Sequence, residues 1–126
     1  MNKAVYDTRF FAESYYSKDE SLLKRIRLHR MRKRYISAVV IHEVYNLATS
    51  REGRDVAKIK ITNLLEEFEV IPVDELIAQS SAELRQKYKL SMGDSMIAAT
   101  SLALKAACIS DDPHFKKIKE IETTWI

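Results

Sequence analysis

The sequence predicts an α/β protein, a three-layer α/β/α sandwich around a mainly parallel twisted sheet. Short apolar segments alternate with longer helical ones along the chain, the pattern of strands joined by helical crossovers. Only two glycines and two prolines occur in 126 residues, which disfavours a turn-dense all-β protein and favours long helices. With 46% hydrophobic and 31% charged residues, we expect a single domain spanning residues 1–126.

The first half of the chain is predicted to form two strands and four helices. Residues 3–7 and 35–37 form the short apolar strands. Apolar residues recur at three- and four-residue steps in the segments between and after them. The predicted helices are 9–16, 22–31, 38–50 and 56–68. Ser37 is placed to cap the third helix, which is apolar nearly all round.

The second half continues the alternation of strands and helices. Strands are predicted at 70–73, 108–110 and 123–126, with helices at 74–89 and 91–107 between them. Pro72 favours a strand end or a sheet edge for the first of these strands. A short helical turn through Phe115 is expected to begin at Pro113, capped by Asp112.

Composition excludes several function classes. No segment has the length and apolarity of a membrane span or signal peptide, so we expect a cytoplasmic protein without membrane contact. Cys108 is the single cysteine, which excludes an internal disulfide and a zinc–thiolate cluster. The three histidines form no recognisable metal-binding motif.

A basic stretch covers residues 18–34, where eight Lys or Arg face two acids. The rest of the chain is therefore acidic overall, although the net charge is +3. Such a stretch suits a nucleic-acid partner, and a solvated helix face remains the alternative. The candidate RNA-binding residues are Arg9, Arg25, Arg27, Arg30, Arg32, Lys33 and Arg34.

Four acids lie in or beside apolar segments: Asp7, Glu43, Asp94 and Asp112. Burying a neutral polar group without a hydrogen-bond partner costs about 2–7 kcal/mol, and burying an unpaired carboxylate costs more. The repeated pattern therefore suggests that the acids share a cation. Helix capping is the alternative for the three aspartates, because Ser91 and Asp94 have capping-box spacing and the other two can be N-caps. Glu43 lies inside an apolar helix and resists that explanation.

The order of the elements favours one site for these acids. In parallel α/β sheets ligands bind outside the carboxyl ends of the strands, where Asp7 and Asp112 are both expected. Phosphodiester hydrolysis needs an activated water and neutralisation of growing negative charge, which one or two divalent ions held by carboxylates supply.

Four segments carrying the acids, AVYDT, SAVVIHEVYNL, LSMGDSMIAAT and CISDDPHF, resemble the PIN-domain nucleases, and specifically the VapC-like toxins, in order and spacing. The resemblance implies a Rossmann-like fold and a Mg²⁺-dependent endoribonuclease, with Mn²⁺ as a substitute. It carries over Asp7, Glu43, Asp94 and Asp112 as catalytic metal-binding acids. Thr8 and Ser110 are auxiliary residues near them. Asp111 makes the last assignment ambiguous. The Ser-x-Asp spacing and the Pro113 cap favour Asp112, which leaves Asp111 as an auxiliary acid or a solvated bystander.

The same resemblance implies a protein antitoxin and a homodimer, with RNA as substrate. Two other functions stay open on the sequence: a housekeeping PIN nuclease that processes ribosomal or transfer RNA, and a noncatalytic RNA-binding scaffold on the same fold. A scaffold has no need for a crowded anionic pocket, which argues against the second.

Overall fold

A five-stranded, fully parallel sheet forms the centre of the protein. The computed structural model describes residues 2–126. The sheet order is β3-β2-β1-β4-β5. The strands are β1 Lys3–Tyr6, β2 Lys33–Ser37, β3 Glu69–Ile71, β4 Ala107–Ile109 and β5 Thr123–Thr124.

Helices connect the strands and flank the sheet, which confirms the predicted α/β/α class. Their bounds are α1 Thr8–Tyr16, α2 Glu20–Leu28, α3 Ala38–Glu52, α4 Arg54–Glu67, α5 Glu75–Tyr88, α6 Met92–Leu104 and α7 Pro113–Lys116. Side-chain oxygens cap five of them at their first turns, which satisfies N–H groups that have no partner inside the helix. The capping residues are Asp19, Ser37, Asp74, Ser91 and Asp112.

The basic stretch departs from its predicted helix. α2 ends at Leu28, and Lys33 already belongs to β2, in register with Lys3 of β1. The ring of His29 explains the early end, because its Nε2 lies 2.6 Å from the hydroxyl of Tyr6. Tyr6 is fully buried in β1, so this hydrogen bond turns the chain toward the sheet.

The core lies between the sheet and its helices. β1 is buried from Ala4 onward, as expected for a central strand covered on both faces. Ala98 and Ala99 of α6 are fully buried, because their small side chains allow the helix to pack closely on the sheet. Cys108 is also fully buried in β4, as a small core residue.

The sheet order reverses direction between β1 and β4. The chain passes from β1 through β2 to β3 on one side, and β4 and β5 then add on the other. In doubly wound sheets such a reversal opens a crevice at the carboxyl ends of the two strands. Asp7 follows β1 and Ser110 follows β4, so both residues flank that crevice.

Within residues 2–126, no helix has the length and apolar character needed to cross a membrane.

Candidate metal centre

Asp7 lies at the centre of the crevice and is buried, with 2% of its surface exposed. It occupies the N-cap position of α1, but its side chain makes no capping hydrogen bond. Instead, the hydroxyl of Ser110 donates to Oδ2 of Asp7 at 2.7 Å. The same hydroxyl accepts a hydrogen bond from the backbone N–H of Asp112 at 3.0 Å. Ser110 therefore ties the end of β1 to the loop after β4, and capping does not explain why an acid stands at position 7.

The pKa of Asp7 is raised from 3.8 to about 7. Burial is the main cause, and the charges of Asp94 and Glu43 add to it, while the hydrogen bond from Ser110 opposes the shift. The pKa of Asp94 is also raised, mainly by burial and then by the charges of Asp112 and Glu43. Asp7 therefore lies close enough to Asp94 and Glu43, and Asp94 close enough to Asp112 and Glu43, for their charges to interact.

Asp94 and Asp112 form a group with His114 beside the crevice. One oxygen of each carboxylate and one ring nitrogen of His114 all lie within 4.8 Å of one another. Oδ1 of Asp112 is 2.8 Å from Nδ1 of His114 and also accepts the backbone N–H of that residue at 2.9 Å. His114 was not among the predicted site residues, because the histidines form no metal-binding motif in the sequence.

Glu43 enters the crevice from α3 and is oriented by α1. The hydroxyl of Thr8 donates to Oε1 of Glu43 at 2.5 Å. On the opposite side lies Gly93 of α6, where an added Cβ would be 2.7 Å from Oε2 of Glu43. Glycine thus leaves room for the carboxylate, and an alanine at this position would require it to shift.

Replacing Thr8 with valine is expected to lower about tenfold the metal-dependent RNA cleavage that the PIN-nuclease resemblance implies. The isosteric side chain cannot hold Glu43 by a hydrogen bond, and poor orientation is costly in active sites. Thr8→Ser keeps the hydroxyl and should retain most of the activity. Initial cleavage rates of the three proteins on one RNA measure the effect. Equal rates for the wild type and the valine variant would show that the hydrogen bond has no role.

Asp111 differs from the other acids because it has a cationic partner, Arg9. Its carboxylate accepts two hydrogen bonds from Arg9, at 3.0 and 3.2 Å. Arg9 also pairs with Glu13 one helical turn further along α1, at 2.8 Å. The arrangement supports Asp112 as the acid of the metal centre and gives Asp111 a partner of its own. It makes Arg9 a cation at the rim of the crevice.

The remaining basic candidates are dispersed over several surfaces. Arg25 donates to Ser21 within α2, Arg30 donates to backbone carbonyls near the end of that helix, and Arg27 is exposed. Arg34 lies 3.6 Å from Glu67 and stacks over Phe68. Arg32 and Lys33 are exposed at the start of β2, at the edge of the sheet opposite the acids.

The donor set fits a hard divalent cation. Carboxylate oxygens are the ligands that Mg²⁺ and Mn²⁺ prefer, and the imidazole of His114 adds a donor that transition metals accept. Burial is the main cause of the raised pKa values of Asp7 and Asp94, and repulsion by neighbouring acids adds to it. A cation would relieve this repulsion, so the acids at the crevice can hold one.

Comparison with known families and structures gives a consistent result. The sequence model of a family described as PIN domain matches residues 4–121. No curated protein matches the chain.

Solved structures with the same fold come from toxin–antitoxin systems. A DNA-bound VapBC of Salmonella typhimurium is 18% identical with a TM-score of 0.81, covering 99% of this chain and 98% of the other. A toxin–antitoxin complex from Klebsiella pneumoniae is 24% identical with a TM-score of 0.75, covering 98% and 99%. The sarcin–ricin loop cleaving toxin VapC20 of Mycobacterium tuberculosis is 18% identical with a TM-score of 0.76, covering 94% and 98%. At these identities the structures share the fold.

Proposed function

Because this chain belongs to the PIN domain family, we propose that it is a divalent-metal-dependent endoribonuclease, the toxin of a toxin–antitoxin pair. Residues 1–126 would form one PIN-like domain. The observation that supports the proposal is the grouping of Asp94 and Asp112 with His114, beside a buried Asp7 whose pKa is raised mainly by burial and further by the charges of Asp94 and Glu43.

Asp7, Asp94 and Asp112 are the residues that would hold Mg²⁺, or Mn²⁺ in its place, with Glu43 as a further ligand or as the group that orients the attacking water. When bound, a divalent ion supplies an acidified water and neutralises charge on the phosphate and the leaving oxygen. Without it the four acids would repel an RNA phosphate, so the cation is also needed for substrate to approach.

The other residues of the crevice position these groups. Ser110 fixes the carboxylate of Asp7 and the backbone of Asp112, while Thr8 fixes Glu43. Burial of Asp7 excludes water from one side of the site. Arg9 at the rim is held by two acids, and it can turn toward an RNA phosphate only by leaving them. Rigid support of this kind is what catalytic geometry requires.

An antitoxin and a second copy of this chain are the proposed protein partners. The relatives from Salmonella typhimurium and Klebsiella pneumoniae are described as a DNA-bound VapBC and as a toxin–antitoxin complex. An apolar groove along α3 supports a protein contact here, since residues such as Ile41 and Tyr45 line it and are only half-buried. No observation on the chain favours housekeeping RNA processing or a noncatalytic scaffold over the toxin.

The proposal is tested by incubating the purified protein with total cellular RNA in Mg²⁺, in Mn²⁺ and in EDTA. Cleavage is expected with either metal and should disappear in EDTA and in the Asp94→Asn variant. Asp55→Asn is the matched control, because Asp55 is an exposed acid in the first turn of α4 and its loss should leave cleavage unchanged. Cleavage that persists in EDTA would contradict a metal-dependent mechanism.

A further inference from the structure

The edge of the sheet opposite the acids carries a second charged surface. We propose that Lys3, Arg32, Lys33 and Lys105, called the amino-edge patch below, bind backbone phosphates of RNA at a distance from the cleavage site. The proposal deepens the function above and rests on RNA being the substrate, but the patch binds RNA independently of metal and cleavage.

The topology brings these four cations together. Lys3 and Lys33 are register partners at the starts of β1 and β2, and neighbouring strands lie about 4.8 Å apart. Lys105 stands two residues before β4, whose first residue Ala107 pairs with Ala4 of β1. The three central strands therefore each have a cation at or just before their amino ends. The backbone N–H of Lys33 donates to the carbonyl of Asn2 at 2.9 Å, which fixes this corner.

No acid lines the depression that the patch forms. The patch and Asn2 line this depression, which has a volume of about 480 Å³. None of its four cations forms an ion pair within 4.0 Å with any residue in the range 2–126. Like charges on directly paired residues are destabilising. The patch thus has the character of a surface built to receive an anion.

Acidic residues flank the patch on both sides. Glu66, Glu67 and Glu69 line the adjoining depression beyond Arg32, and Glu120 and Glu122 line the one beyond Lys105. The positive surface is therefore limited to the width of the three central strands. A narrow row of Lys and Arg flanked by acids fits one strand of phosphates, to which these side chains donate charge-assisted hydrogen bonds.

The distance between the patch and the acids determines how long an RNA must be to contact both. Lys3 and Asp7 lie at opposite ends of β1, so four residues at about 3.3 Å each separate them by roughly 13 Å. At about 3.4 Å per stacked nucleotide, the straight-line path alone corresponds to some four nucleotides. Long RNA can reach both sites, whereas a stacked trinucleotide is too short to do so.

Replacing the four cations with glutamine tests the proposal. Binding of a labelled 30-nucleotide RNA is measured in EDTA over a range of salt concentrations, so that no cleavage occurs. Affinity is expected to fall at least tenfold at low salt, and the slope of log affinity against log salt should become shallower by about 3, since each of the four lost phosphate contacts contributes about 0.7. The double variant Lys33→Gln/Lys105→Gln should show about half the change in slope.

The control removes the same charge from other surfaces, with Lys18, Lys58, Lys89 and Lys117 changed to glutamine, all of them exposed. It should change the slope by much less than the patch variant. Equal slopes for the two quadruple variants, or an unchanged slope in the patch variant, would overturn the proposal. Loss of RNA binding in a patch variant that still cleaves a trinucleotide in Mg²⁺ would support both proposals. RNA binding that depends on the patch, in a protein that cleaves no RNA, would support the patch and refute the nuclease.

Discussion

Asp7→Asn is expected to abolish metal-dependent RNA cleavage and, at the same time, to stabilise the metal-free protein. The carboxylate is buried, and its pKa is raised to about 7 by burial and by the charges of Asp94 and Glu43. Asparagine keeps an oxygen for the hydrogen bond from Ser110 but carries no charge. It removes a metal ligand and a repulsion together, so activity and stability change in opposite directions.

The sign of the pH dependence follows from that pKa. An acid whose pKa is higher in the folded than in the unfolded chain is destabilising when ionised. The penalty is absent below the unfolded value of 3.8, grows as pH rises, and is fully present above about 7. Since one pKa unit corresponds to about 1.4 kcal/mol, wild type should lose a few kcal/mol of unfolding free energy over that range, relative to the variant.

Urea unfolding in EDTA at pH 5 and pH 8 measures this difference. The advantage of Asp7→Asn over wild type should be larger at pH 8, and adding Mg²⁺ should reduce it, because the ion stabilises only the protein that binds it well. Cleavage by the variant should fall at least about 100-fold, as for other removed electrostatic groups in active sites. A variant that is less stable than wild type at pH 8 and still cleaves RNA would contradict both parts.

Phe115→Ala is expected to have the largest effect on stability, with a loss of about 3–5 kcal/mol. Phe115 is fully buried, and its backbone N–H donates to the carbonyl of Asp112 at 3.1 Å. The ring anchors the short helix α7, whose N-cap is Asp112. Loss of the ring should therefore also release Asp112 and weaken metal binding.

Phe68→Ala provides the matched control. Phe68 is 6% exposed and packs against Tyr6, Phe10 and Phe11, so its loss should cost a similar amount of stability without touching Asp112. Calorimetric Mn²⁺ titrations at 10 °C, where both variants remain folded, should give an affinity at least tenfold weaker for Phe115→Ala and nearly unchanged for Phe68→Ala. Equal Mn²⁺ affinities for the two variants would show that Phe115 does not position the site.

The fold was largely predictable because its signals are local. Apolar runs gave the strands, Ser37, Ser91 and Asp112 cap the helices as expected, and Pro72 follows a strand at the sheet edge. The end of α2 was not predictable, because the hydrogen bond between Tyr6 and His29 joins residues distant in sequence. Only the folded sheet shows that Lys33 lies beside Lys3.

The candidate site also combines residues that local sequence patterns predicted with contacts that they did not. Strand ends and an apolar helix pointed to the four acids, whose roles remain predictions. Long-range contacts supplied what the sequence left open: Arg9 pairs with Asp111, and Glu43 lies between Thr8 and Gly93. Such contacts depend on how helices are placed on the sheet, which no local pattern specifies.

Mapping of cleavage ends tests the central claim most directly. Total cellular RNA is incubated in Mg²⁺ with wild type, Asp94→Asn or Asp55→Asn, and the new RNA ends are sequenced. We expect a small set of internal ends with wild type and Asp55→Asn, and none of these ends with Asp94→Asn or when EDTA replaces Mg²⁺. The same ends in the Asp94→Asn sample would show that the acids at the crevice do not form the catalytic centre.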